Sequence, residues 1–295
     1  MKRAYAAIVA LVLAGQPAAA QEPSSAPDDA LYVLLRTDRK AFAEEVSRSA
    51  TSELGRAKAI VLWLTSHFDW QATDYKKRTV QEVIERRGGN CDDLARVALE
   101  AMESLHLRLR RVHDVHIRTP SSGRGERAHA LVKEKGDAYS IFGRHHNDHV
   151  WLEVYDSAAR EWYPVDPWSG LAGLDEWMKA RVWFGKRASL APDGPEMIVP
   201  IGIFAADDGN HFTIDRTKHY LVDEFDRMYR GKLHTLPAWK RWVSLLDQLD
   251  GKVKGAFAGT ANLHDSESQI DSLATTYDAL KSEARGLPAR APDRP

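Results

Sequence analysis

Two periods of apolar residues follow one another along this chain, and the change of period after Leu105 constrains the fold more than any other feature. Over residues 52–68, Leu54, Ala57, Ile60, Val61, Leu64 and Phe68 recur three and four apart, the stripe of an amphipathic helix, which Trp63 broadens. A second short helix is expected over 79–87, with Val80, Val83 and Ile84 apolar and Gly88-Gly89 ending it. A third starts directly afterwards. Asn90 is a good N-cap, Asp92 and Asp93 occupy the first turn, and Leu94, Val97, Ala98, Ala101, Met102 and Leu105 face inward. Beyond it the period becomes two. Val115 and Ile117 alternate with His116 and Arg118, and residues 130–132 suit a further short strand. Val150, Leu152 and Val154 then alternate with His149, Trp151, Glu153 and Tyr155, and residues 161–166 form the partner across a turn at 156–160.

Downstream of Asp166 the patterns weaken. Residues 197–204 read as a strand, 218–230 as a helix carrying Leu221, Phe225 and Met228, and 239–249 and 270–280 as two more helices. The two ends are different in kind. Lys2 and Arg3 precede an apolar run over 4–14, Gly15 and Pro17 break it, and Ala18-Ala19-Ala20 offers small residues before Gln21, so residues 1–20 read as a signal peptide for an exported compartment, a bacterial periplasm. The run is too short to span a bilayer, which needs roughly 20 apolar residues, and no membrane insertion is expected once the leader is cleaved. The expected organisation is then a leader and first helix over 21–51, flexible over 21–29 and ordered from about Leu31. A core over 52–170 and an extension packed on it over 171–250 follow, and 251–295 hold a terminal helix and a disordered tail.

Charge and cysteine usage exclude several functions. There are 41 Lys and Arg against 42 Asp and Glu, so nothing in the bulk charge points to nucleic acid, and the run Lys76-Lys77-Arg78 lacks the interleaved aromatics of a nucleic-acid patch. One cysteine, Cys91, rules out an internal disulfide framework and any multi-cysteine metal site. No metal or organic cofactor is expected: His145-His146-Asn147-Asp148-His149, with His113 and His116, has no fixed ligand spacing, and neighbours on an extended segment point to opposite faces.

The solitary thiol opens a helix in a polar context. There the unpaired backbone N–H groups favour a thiolate and can hold an oxyanion. A cysteine nucleophile needs a base, and the base an orienting group. With the hairpin centred between Ser157 and Ala158, His149 would pair directly with Asp166, placing an imidazole and a carboxylate on one face. Trp151 shares that face, as packing rather than as a cleft wall. Gln71, Gln81 and Trp70 are candidates for a second oxyanion donor beside the Cys91 N–H.

Three blocks, Gly88-Gly89-Asn90-Cys91-Asp92-Asp93-Leu94-Ala95, Asp148-His149-Val150-Trp151-Leu152-Glu153-Val154-Tyr155 and Glu161-Trp162-Tyr163-Pro164-Val165-Asp166-Pro167, resemble in order and spacing those of the transglutaminase-like superfamily. Phe68-Asp69-Trp70 is similar to that family's approach segment. Val150 departs from the family, which often has Ala there. The resemblance implies a papain-like α+β fold whose Cys-bearing helix packs on an antiparallel sheet. It implies Cys91 as nucleophile, His149 as general base and later acid, and Asp166 as the carboxylate orienting the imidazole. The implied partner is a protein or peptide supplying an amide carbonyl to a thioester intermediate. Passing the acyl group to water makes a cysteine peptidase or amidase, the preferred reading. Passing it to an amine makes a cross-linking transglutaminase, and an idle triad leaves a binding module.

Overall fold

The computed structural model describes residues 25–70, 78–118, 146–184, 198–258, 260–261 and 263–287. The N-terminal half is helical: α1 (Ser25–Thr37), α2 (Arg39–Val46), α3 (Glu53–His67), α4 (Val80–Glu85) and α5 (Cys91–Glu103). Capping side chains set most of the starts. Asp38 accepts from the Ala41 N–H and Ser52 from the Gly55 N–H, while Thr79 with Glu82 and Asn90 with Asp93 close two reciprocal capping boxes. The α3 stripe is buried as expected at Ala57, Ile60, Val61, Trp63 and Leu64.

Helix α1 begins at Ser25, where the sequence suggested a flexible leader through residue 29. The residues that look like a leader are also those that open helices. A proline in the first turn, here Pro27, loses no intrahelical bond, and Asp29 lies toward the positive end of the dipole. Helix α4 also ends differently from the expected glycine stop. Arg87 takes the left-handed turn at φ 49°, and Gly88–Gly89 instead form a two-residue strand, β2, paired in parallel with β1 (Asp69–Trp70).

The remaining strands are β3 (Leu109–Arg118), β4 (His146–Asp156), β5 (Glu161–Asp166), β6 (Leu171–Ala172), β7 (Ile198–Ala205) and β8 (Ile214–Asp215). They form one antiparallel sheet in the order β6-β5-β4-β3-β7-β8. Together with the helices they make the α+β architecture expected of a papain-like, transglutaminase-like core. The expected strand at 130–132 and the C-terminal tail beyond 287 lie outside the described residues. Strand β3 starts well before Val115, because Arg110 sits opposite Glu153 in the ladder and pairs with it.

The β4–β5 register corrects one expectation. Leu152 faces Val165 and Asp156 faces Glu161, so Asp166 lies two positions short of direct pairing with His149. Asp156 belongs to the strand and holds the turn from its end, accepting the Ala158 and Ala159 N–H groups at 3.1 Å each, which moves the hairpin centre between those two alanines. A shift of two keeps the faces, so His149 and Asp166 still share one side of the sheet.

Val150, Leu152, Val154 and Val165 bury against α3 and α5 in one core. Trp151 enters a second core with Trp177, Tyr220, Phe225, Trp242 and Tyr277, built from α6 (Leu174–Arg181), a π-helical turn His219–Glu224 continuing into α7 (Phe225–Met228), α8 (Pro237–Phe257) and α9 (Glu267–Glu283). Helix α6 has no side-chain cap, but Asp175 and Glu176 in its first turn and Lys179 and Arg181 in its last suit the helix dipole. Fully buried Glu153 clamps the two halves together, accepting from Arg110, Arg216 and the Tyr220 hydroxyl. No described helix is long and apolar enough to cross a membrane.

Candidate functional site

Cys91 is the first residue of α5 and is half-buried. What fixes its place is the turn before it. Asn90 Oδ1 accepts the Asp93 N–H at 2.9 Å, and Asp93 Oδ2 accepts the Asn90 N–H at 3.3 Å. Gly89 lies against this cap: a Cβ there would fall 2.4 Å from Asp93 Cβ, so only glycine fits. The two carboxylates beside the thiol are both paired. Asp92 meets Arg111 and Arg96, and Asp93 accepts from Arg96 at 2.6 Å while Arg96 also donates to the Arg78 carbonyl at 2.7 Å.

His149, on β4, is 5% exposed. Its Nε2 lies 2.8 Å from Asp166 Oδ2, and the ring also shares a hydrogen bond with the Cys91 side chain. Asp166 closes β5 at zero exposure. The Trp168 and Ser169 N–H groups donate to its Oδ1 at 3.1 and 3.4 Å, and Arg181 Nη2 donates to Oδ2 at 3.1 Å. Burial alone would strip the proton from His149, but the charge and hydrogen bond of Asp166 and the bond to Cys91 lift it to about 10. Burial alone would likewise protonate Asp166. The imidazolium, its hydrogen bond, Arg181 and Ser169 instead hold that carboxyl far below the usual carboxylate range. The three side chains thus form one hydrogen-bonded line from a helix N-terminus to a buried carboxylate, able to hold a thiol next to a proton carrier.

Other side chains surround the line unannounced by sequence. The Trp168 ring stands edge-on to His149 with centroids 5.2 Å apart. Asp114, fully buried and opposite His149 in the ladder, accepts from Trp151 Nε1 at 2.9 Å and lies 3.2 Å from His116 Nδ1. Burial would raise the Asp114 carboxyl, but His116 and the Arg181 and His149 charges keep it below its ordinary value. Trp151 is packing, as expected. Gln81 bonds Glu85 and Arg39 on the surface of α4, whereas Gln71 and the Trp70 side chain lie outside the described residues. His113 packs on Phe212 and Phe257, apart from the His116–Asp114 pair. A groove of about 950 Å³ walled by Arg96, Arg108, Arg111 and Trp162 has none of Cys91, His149 or Asp166 in its lining, so it is separate from this line.

Residues 40–167 match the sequence model of the transglutaminase-like superfamily. No curated protein matches the chain significantly. Among solved structures, crystal structures of Rad4–Rad23 bound to a 6-4 photoproduct UV lesion and of Rad4–Rad23 crosslinked to undamaged DNA overlap 90% and 89% of this chain, each at 11% identity, with TM-scores of 0.34 and 0.33. The chain spans 57% of the length of each, and overlap of that quality decides nothing about this protein.

Proposed function

We propose that this chain, whose residues 40–167 match the transglutaminase-like superfamily, is a thiol-dependent amide or peptide hydrolase. The observation that carries this reading is the line of hydrogen bonds from Cys91 through His149 to Asp166. In the proposed cycle the Cys91 sulfur attacks an amide carbonyl, and the Cys91 N–H at the helix start faces the developing oxyanion. The C–N bond breaks as His149 gives its proton to the leaving amine, leaving a thioester on sulfur. His149 then takes a proton from water, hydroxide adds to the thioester, and the acid leaves with the thiolate restored. Asp166 keeps the ring oriented and its charge matched throughout. With residues 1–20 read as a signal peptide, the proposed place of action is an exported compartment, a bacterial periplasm.

The test is to incubate the protein with a peptide and peptide-amide library together with a labelled primary amine. Intact mass spectrometry then follows the enzyme and the products. New carboxyl groups and a thioester mass on Cys91, with turnover lowered about 10³-fold or more in Cys91→Ala, are expected. Incorporation of the amine in place of water would reassign the reaction to cross-linking. A protein that acylates with no member of the library would be a binding module.

A further inference from the structure

Asp166 Oδ2 is shared. On one side lies His149 Nε2 at 2.8 Å and on the other Arg181 Nη2 at 3.1 Å, both side chains almost entirely out of water. Arg181 comes from α6, beyond the segment that matches the family, and it reaches the site from the second core. Around the His149 ring, among the described residues, stand Cys91 from α5, Asp114 from β3 with His116 paired to it, Asp166 and Trp168 from β5 and the turn after it, and Arg181 from α6. Two of these are buried carboxylates, and the only fixed cation among them is the guanidinium, since arginine keeps its charge at any working pH.

Resting on the proposed function, we propose that Arg181 is a positioning residue of this site, holding the Asp166 carboxylate on the imidazole and offsetting its charge there. Without it, two anions would face one ring in a dry environment, and the imidazolium would give up its proton less readily. Arg181 indeed opposes the lift that Asp166 gives His149. Removing a buried cation favours every more protonated form, so thiolate formation at Cys91 should need a higher pH. A guanidinium that only braced α6 against β5 would leave that pH unchanged.

The experiment is the pH profile of iodoacetamide alkylation, which has one source because the chain has one thiol. It is run on the folded full chain as wild type, Arg181→Met, Arg181→Lys and the double variant Arg181→Met with Asp114→Asn. In Arg181→Met the acid limb should move up by about one pH unit or more, slowing alkylation about tenfold at a fixed acid pH. Arg181→Lys, which keeps the charge, and the double variant, which removes an opposing one, should recover most of the shift. Should the methionine variant fail to fold, Arg181→Gln keeps donors toward Asp166 without the charge and is expected to show the same displacement. A folded Arg181→Met or Arg181→Gln whose acid limb coincides with wild type overturns the inference while leaving the proposed function standing. A wild-type thiol that behaves as a free cysteine overturns the proposed function itself, and the inference with it.

Discussion

His149 and Asp166 meet with almost no water between them, so each holds the other in its charged form. That coupling has a sign that stability measurements can read. His149 is raised from 6.5 to about 10, so its contribution is fully present below about pH 6.5 and is lost as pH rises through about 10. Asp166 is lowered from 3.8, so its contribution is present above 3.8 and is lost as pH falls through the lowered value. Wild type should therefore exceed His149→Gln in unfolding free energy by on the order of 3 kcal/mol near pH 6, and the gap should close toward pH 10. Urea unfolding at several pH values measures it, and a gap that stays constant across that range would show the pair to be uncharged. Cys91, His149 and Asp166 could be singled out because Cys91 opens a capped helix, His149 and Asp166 share one face of a hairpin, and all three fall in blocks that resemble the transglutaminase-like superfamily. Arg181 and Asp114 could not, because nothing beside them in the chain announces that they are buried next to charge. Only the approach of α6 and β3 to β4 and β5 gives them their partners.

At the scale of elements, the start of α5 is the most closely determined piece of the molecule. Gly89 leaves room for Asp93, Asp93 and Asn90 cap the helix reciprocally, and the cap sets Cys91 as the first helical residue. Gly89→Ala puts a methyl group into the Asp93 side chain and opens the cap. The cost should be about 1–3 kcal/mol, together with slower alkylation of Cys91 in the molecules that remain folded. A variant as stable and as reactive as wild type would mean that the cap does not place the thiol. This element could be read from sequence because capping is settled within four residues. The hairpin could be read only to its faces, since its centre depends on Asp156 ending β4 rather than opening the turn. The early start of β3 was hidden by Arg110 and Arg111, whose charges look like loop but are neutralised by Glu153 and Asp92.

Over the whole molecule, the segment that matches the family is not a separate unit. Trp151, at the centre of the sheet, is covered by Trp177 and Tyr220 from the C-terminal half, and Glu153 bonds Arg216 and Tyr220 across the same join. The helices after residue 170 were only partly legible: α8 and α9 showed as shorter apolar stripes, and α6, eight residues long, is marked only by the charges of its two ends. Their pairing with the sheet rests on aromatic packing between distant parts of the chain, which no local period encodes. The C-terminal half thus closes the back of the site and brings Arg181 to it. All of this serves one central claim, that Cys91 and His149 form an activated thiol–imidazole pair. The measurement that tests it most directly is the rate of iodoacetamide alkylation against pH for wild type and His149→Ala. Rapid alkylation well below about pH 8.5, where a free thiol ionises, and its loss in His149→Ala are the predicted results. Alkylation that follows an ordinary free thiol in both proteins would contradict the claim.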